Sequence, residues 1–459
     1  MSEEATLDDF TEKLNQEQAS DELKQEQFGP FTLSTPGGWT AKRLGDIKRL
    51  ITRGKQPTYA DDGVPVINQE CIYWNGWQFE NLRYLEEEVA KDWKDKYYPQ
   101  SGDVILNSTG QGTLGRAQVY PDNEHRAIDS HVTLLRTDEE LNPYFHRYFL
   151  ESRLGQALLY SMCVNGSTGQ IELSKTRLDL LPIPIPPLSE QRKIATVLNN
   201  VDQAIQKKEE IIEQINTVQR GLLRSLFRKG GTRQDTEIET KIVRLGPKQF
   251  KVPVTWEVTD ISSIGEVVTG DTPSTNSQDN FGGDFPFVTP DTLSYGKYVT
   301  MSERTLSETG RKEAKPIPEG SVMMECIGNI DKVAISNREV ATNQQINSVI
   351  VTDTSYSNEF LYYHLQLLKD FIKSQAGKTA VPIVNKSSFE AFQILQPPIE
   401  EQREIVNILS EYDKGKQINT KCLTILNCLK KGLQQDLLSG SVRTTDTNIE
   451  VPDEIAQHG

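Results

Sequence analysis

The chain has 459 residues, 36% of them apolar and 25% charged, with a formal net charge of −15. At roughly 100–200 residues per domain the length predicts two to four domains, and the composition excludes global disorder. No run approaches ~18 uninterrupted apolar residues, which excludes a membrane span, and the acidic balance argues against a globally basic nucleic-acid binder.

Residues 1–27 carry nine acids and two bases and lack an apolar signal core, so a cytoplasmic protein is expected. Cys71, Cys163, Cys326, Cys422 and Cys428 are scattered, with no CxxC pair, which fits a reducing compartment. A basic run follows: Lys42, Arg43, Lys48, Arg49, Arg53 and Lys55 against Asp46 alone. It reads either as a solvated face or as an edge that contacts phosphates.

Residues 28–187 mix short β-like runs (64–68, 102–106, 132–136) with turns and one helical stretch, 143–161. Two turn-like segments are rich in amides and hydroxyls: Asn107, Ser108 and Gln111 in one, Asn165, Ser167, Thr168 and Gln170 in the other. Asn and Gln pair bidentately with adenine, Arg and Lys with guanine, and Gly lets backbone approach a phosphate. These residues, with Lys42, Arg43, Lys48, Arg49 and Lys55, are the DNA-contacting candidates of this region; solvated turns are the alternative.

Pro187 ends a strand-like run, and a long helix is predicted over 188–228. Ser189 is the expected N-cap, and Glu190 adds first-turn charge that suits the helix dipole. Ile194, Leu198, Val201, Ile205, Ile212, Ile215, Leu222 and Leu226 follow a heptad if Lys208 and Gln219 count as polar members. A polar, Gly-containing linker (229–245) leads to a second mixed region, 246–398. Its candidates are Thr342, Asn343, Gln344 and Gln345, then Lys378 and Thr379, and its helical stretch is 358–375. A second long helix is predicted over 399–439, with Ile405, Leu409, Tyr412, Leu423, Leu426, Leu433 and Leu437 in the seam and Lys416, Asn419 and Lys430 as polar members. Residues 440–459, with four acids and one base, read as an acidic tail.

The two halves are copies of one unit. Gly29-Pro30, Pro36 and Trp39 recur as Gly246-Pro247, Pro253 and Trp256, at an offset of 217. Pro186-Pro187 and Glu190-Gln191-Arg192 recur as Pro397-Pro398 and Glu401-Gln402-Arg403, now at 211, and that offset holds through Leu226/Leu437. The unbroken offset predicts an antiparallel coiled coil of the two helices and a pseudo-twofold internal repeat; stripes that pack onto another protein are the alternative. Matched ends with diverged middles suggest one scaffold that serves two specificities; ordinary drift of surface loops is the alternative. The fold class expected is α+β, with two variable domains separated by two long helices.

Catalytic motifs fail. Gly377-Lys378-Thr379 has Ile372 where the first glycine of a phosphate-binding loop belongs. Asn142-Pro143-Tyr144-Phe145 lacks the second proline of the amino-methyltransferase signature, and Pro290-Asp291 with Glu313 and Lys315 meets a loose nuclease pattern easily matched by chance. The five histidines do not cluster at metal-ligand spacing.

Two Trp-led variable regions alternate with the helices PPLSEQRKIATVLNNVD and PPIEEQREIVNILSEYD. This combination resembles the specificity (S) subunit of type I restriction–modification enzymes, over residues ~28–440. The resemblance implies two target recognition domains, each reading one half of a split, asymmetric site in double-stranded DNA. It implies helices that space the readers and dock partners: two methyltransferase subunits and two ATP-dependent restriction subunits. S-adenosylmethionine, ATP and magnesium then belong to those partners, with no cofactor, metal or catalytic residue in this chain. The competing classes are a fused restriction or modification enzyme and a coiled-coil adaptor without DNA contact. The resemblance does not extend to the acidic residues 1–27.

Overall fold

The computed structural model describes residues 24–28, 31–166, 171–229, 239–246, 248–376 and 381–458. The acidic extension through residue 23 and most of the linker (230–238) lie outside them. The fold is α+β and divides into two compact units, residues up to Glu209 with Cys422–Gly459, and Glu210–Lys421.

In the first unit the central sheet is antiparallel, in the order Ala117–Val119, Val104–Asn107, Val132–Thr137, Lys48–Arg53. In the second the same order recurs as Val333–Ser336, Val322–Glu325, Ile346–Val351, Gly265–Thr269, with Tyr298–Val299 added at one edge. Runs such as Val104–Asn107 and Val322–Glu325 are buried throughout, because both faces of these sheets are covered. The opening and closing ends of each variable region pair with each other. Thr40–Arg43 lies antiparallel to Pro182–Ile185, and Glu257–Asp260 to Gln393–Gln396.

The helical stretch expected over 143–161 is broken. Helix Pro143–Glu151 ends at Ser152, whose extended backbone (ψ 157°) starts a second helix, Arg153–Leu158. Ser152 Oγ donates to Phe149 O (2.7 Å) and accepts from Gly155 N (3.0 Å), so one hydroxyl closes one helix and caps the next. The counterpart, Asn358–Ser374, is continuous.

The long helices are Leu188–Lys229 and Ile399–Ser439. The expected cap at their start is corrected. Ser189 lies inside the first turn, and Pro187 O takes the first helical bonds, from Glu190 N (2.8 Å) and Gln191 N (3.0 Å). Glu190 is buried and accepts from the Trp39 indole N–H (3.0 Å), while Glu401 accepts from that of Trp256 (2.7 Å). Beside them, Gln191 and Gln402 are fully buried. Gln191 Oε1 accepts from Asn142 N (2.8 Å), and Gln402 Oε1 accepts from Ser357 N (2.8 Å). Asn142 and Ser357 are the N-caps of Pro143–Glu151 and Asn358–Ser374. The repeated Trp and Glu-Gln thus lock each long helix to its own β-rich region. Trp39→Phe is expected to lower stability by ~2 kcal/mol, because it removes a buried hydrogen bond to a charged acceptor. Urea unfolding followed by circular dichroism checks this; an unshifted midpoint contradicts it.

The helices pair antiparallel. In the first unit Lys430 Nζ meets Asp202 Oδ1 (2.7 Å), and in the second Gln219 Nε2 donates to Asp413 Oδ1 (2.7 Å). Moving 17 residues forward from Asp202 to Gln219 moves 17 back from Lys430 to Asp413. Two of the polar seam members therefore satisfy the acid opposite. Ile194, Leu198, Ile405 and Leu409 are fully buried, and Ile205, Leu226 and Leu437 nearly so. Val201, Ile215, Leu222, Tyr412, Leu426 and Leu433 are only half-buried. Apart from Ile205, the first group adds contacts to a β-rich core, whereas two helices alone cover less of each side chain.

The unit boundaries fall within both long helices rather than at their ends, because each half-helix buries its apolar face in a different core. The expected acidic tail also belongs to a core. Arg443 donates two hydrogen bonds to the Glu190 carboxylate, Nε to Oε1 (2.8 Å) and Nη2 to Oε2 (2.9 Å). Lys193 Nζ donates to the carbonyls of Thr444, Thr445 and Thr447 at 2.8–3.1 Å. Asn142 Nδ2 donates to Ile455 O (3.0 Å), and Ile455 itself is fully buried.

Candidate nucleic-acid interface

Antiparallel order brings alternate strand ends to one edge of a sheet. In the first unit Arg53, Asn107, Ala117 and Val132 all lie at one edge, so loops 54–57, 108–116 and 129–131 meet there. Ser108 N donates to His131 O (2.8 Å), and Thr109 Oγ1 bonds His131 Nδ1 (2.8 Å). The hairpin Val164–Asn165/Glu172–Leu173 joins through a Thr109–Glu172 bridge, with Leu173 N donating to Ser108 O (2.8 Å). Arg53 spans the cluster, from Ser130 O (2.7 Å) to Glu172 (2.9 Å).

The structure therefore gathers Asn107, Ser108, Gln111, Asn165 and Lys55. Asn107 and Ser108 are fully buried and support the loop from beneath. Asn107 Nδ2 donates to Gln69 O (3.1 Å), and Ser108 Oγ bonds the Thr133 hydroxyl. Gln111, Asn165 and Lys55 are exposed, and Lys55 Nζ lies 5.2 Å from the Trp93 ring centre. Ser167, Thr168 and Gln170 lie outside the described residues, as do Lys378 and Thr379.

The basic run does not form one edge. Lys48 and Arg49 start the strand that Arg53 ends, roughly 13–16 Å away at ~3.3 Å per residue. Lys48 pairs with Asp179 (2.5 Å), Arg49 with Glu139 (2.9 Å), and Lys42 with Glu140. Arg43 is exposed on the strand beside Pro182–Ile185, away from the loops. The structure thus neutralises three of these five candidates and leaves only Lys55 at the loop edge.

In the second unit the same edge gathers the loops after Thr269 and Glu325 and before Val333 and Ile346. Thr342, Asn343, Gln344 and Gln345 sit there together. Asp271 N donates to Thr342 O (2.9 Å), and Thr272 Oγ1 to Gln344 Oε1 (2.5 Å). Asn343 and Gln345 bond each other, Nδ2 to Oε1 at 2.9 Å. Thr342 and Asn343 are buried, so Gln344 is the exposed member. Glu325 ends the central strand; burial raises its carboxyl above the ordinary range, against the pull of Lys332. Ile330 has φ +51°, a conformation that costs an L-residue ~1–3 kcal/mol, and its fully buried side chain holds it there. Sequence reading missed His131, Thr272 and Ile330; only strand pairing brings them to this edge.

Among the described residues no group of three or more His, Cys, Asp or Glu is placed to hold a metal ion. No described helix is long and apolar enough to cross a membrane. The family described as "Type I restriction modification DNA specificity domain" matches residues 36–217 and again 253–427. The chain belongs to the type I restriction–modification specificity subunits.

As such a subunit the chain is a DNA-binding, non-catalytic component of a restriction system. It is similar to the HindI specificity subunit of Haemophilus influenzae, 32% identical over 88% of this chain and 99% of that one. The putative MjaX specificity subunit of Methanocaldococcus jannaschii is 23% identical over 92% of this chain and 97% of its own. Two solved chains share the fold. One is the S subunit from M. genitalium, with a TM-score of 0.55, 15% identity, and 87% and 96% coverage. The other comes from work on complex assembly and conformational transition of the type I R-M system, with 0.54, 17%, and 89% and 99%.

Proposed function

We propose that the specificity subunit reads a bipartite, asymmetric DNA site, with 28–187 contacting one half and 246–398 the other. The observation that carries this reading is the repeated loop edge: one strand order, one set of loops and different side chains in each unit. Locks such as Trp39–Glu190 and Trp256–Glu401 are common to both units, as a shared scaffold under two specificities requires. Two methyltransferase and two restriction subunits bind S-adenosylmethionine, ATP and magnesium and carry the chemistry. With a net charge of −15 on this chain, the partners supply much of the phosphate contact and this chain supplies base contacts. Docking uses apolar side chains outside the seam: Val218 and Ile418 in one unit, Ile425 and Leu429 in the other, all 47–67% exposed.

The test is exchange of residues 40–180 for the equivalent region of a related chain, followed by methylome sequencing of a host that expresses the complex. One half of the methylated sequence is expected to change, with the spacer and the other half retained. Change in both halves together contradicts modular reading.

A further inference from the structure

We infer that Asn329, in a loop to which sequence reading assigned no role, is a base-reading residue of the second recognition domain and the counterpart of Gln111 in the first. The inference rests on the half-site reading above and specifies it: each of these carboxamides contacts one adenine in its half-site.

The equivalence comes from the backbone. The loop after Asn107 and the loop after Glu325 leave the same strand of the same sheet order. Ser108 N donates to His131 O (2.8 Å), and Cys326 N to Gln345 O (2.7 Å). Ser108 O accepts from Leu173 N (2.8 Å), and Cys326 O from Val384 N (2.8 Å). Thr109 bridges Glu172, and Ile327 bridges Ile383. Gly110 (φ +94°) then matches Gly328 (φ +99°), and Gly112 (φ +86°) matches Ile330 (φ +51°). Gln111 and Asn329 therefore each stand between two left-handed residues at a loop tip.

Both side chains are exposed, and neither carboxamide has a hydrogen-bond partner among the described residues. Each tip is held from below by an apolar anchor, Leu114 in the first unit and Ile330 in the second, both buried. The second loop is shorter by two residues, from Glu325 to Val333 against Asn107 to Ala117, so the anchor falls on the left-handed residue itself. That accounts for an isoleucine where the first loop has glycine. An ordered loop tip with an unpaired carboxamide presents an N–H donor and a carbonyl acceptor side by side. That pattern complements N6–H and N7 of adenine in the major groove.

The test uses the complex assembled with its methyltransferase subunits, on duplexes carrying the methylome-defined site. Replacing one adenine at a time with 7-deazaadenine removes a single acceptor. The unsubstituted complex is expected to lose roughly 3- to 10-fold in affinity at one adenine in each half, about half the discrimination of one bidentate pair. Asn329→Ala, which removes the whole pair, is expected to weaken binding to the unmodified site roughly 10- to 100-fold and to abolish the deaza effect in one half only. Gln111→Ala should do the same in the other half. Both substitutions are at exposed tips, so unfolding midpoints should not move. Unchanged affinity and an unchanged methylome for Asn329→Ala overturn the inference, as does a half-site without adenine. If exchange of residues 40–180 still converts one half while Asn329→Ala converts none, only this inference fails. If either variant alters both halves, the half-site reading fails with it.

Discussion

Leu198→Asp is expected to destabilise the first unit by roughly 5 kcal/mol and to prevent assembly with the methyltransferase subunits. Leu198 is fully buried among Ile194, Phe145, Tyr148 and Leu437, so losing its side chain alone costs ~2–5 kcal/mol. The new carboxylate adds the penalty of a buried charge without a partner, several kcal/mol more unless it is protonated. Asp202, one turn on, already engages Arg147 (2.8 Å) and Lys430 (2.7 Å). A second carboxylate at i−4 repels it. Leu409→Asp repeats the situation in the second unit, because Leu409 is fully buried and Asp413 follows by four residues. Trp39, Trp74, Trp77 and Trp93 belong to the first unit and Trp256 to the second, so tryptophan fluorescence in urea separates the two. Leu198→Asp should shift most of the signal and Leu409→Asp the smaller part. Unchanged midpoints and unchanged co-elution in size-exclusion chromatography contradict the prediction.

The parts of this architecture legible in the sequence are those that repeat at a fixed offset. The seam from Ile194 to Leu226 and from Ile405 to Leu437 follows from heptad periodicity, because side-chain direction along a helix depends on local geometry alone. The role of Glu190 did not follow. Its position fits a favourable dipole interaction, but its partners, Trp39 and Arg443, are about 150 and 250 residues away, and no local pattern encodes them. The basic run misled for a related reason. Six cations within 14 residues look like one patch, yet they fall on two strands and the loop beyond, and Glu139, Glu140 and Asp179 arrive from distant segments to neutralise half of them. The loop candidates fared differently. Asn107, Ser108, Thr342 and Asn343 do sit at the loop edges, but buried, where they order the loops. Exposed neighbours such as Gln111 and Gln344 face outward. Composition locates such a loop; which of its residues point outward depends on strand register and on left-handed turns like that at Ile330.

Acid should destabilise both units from about pH 6.5 downward, before ordinary carboxylates protonate. His146 and His364 are fully buried, and burial pushes each down to about 3. Both His146 nitrogens lack partners, and His364 lies among the rings of Phe227 and Phe360, with Nδ1 3.4 Å from the Tyr356 hydroxyl. In the unfolded chain each titrates near 6.5. Between about 3 and 6.5 the unfolded state therefore binds more protons, so stability is present above 6.5 and is lost as pH falls below it. The slope is ~1.4 kcal/mol per pH unit per histidine, or roughly 3 kcal/mol in each unit between pH 6.5 and 4.5. Burial lowers His458 as well, which adds to the first unit in the same direction. Two buried carboxyls oppose the trend. Burial raises Asp129 and Glu325, so their folded forms take up protons before the unfolded chain does and gain stability on acidification. Asp202 acts in a lower window. Its burial is outweighed by Arg147 and Lys430, which hold its carboxyl below the ordinary value, so its contribution is lost only as pH falls through that lowered value. Urea midpoints measured from pH 7 to 4.5 should fall steadily in both units. His146→Leu should flatten the slope of the first unit by about one proton, and His364→Phe that of the second, each without altering the other. A slope unchanged in both variants would place the acid sensitivity elsewhere.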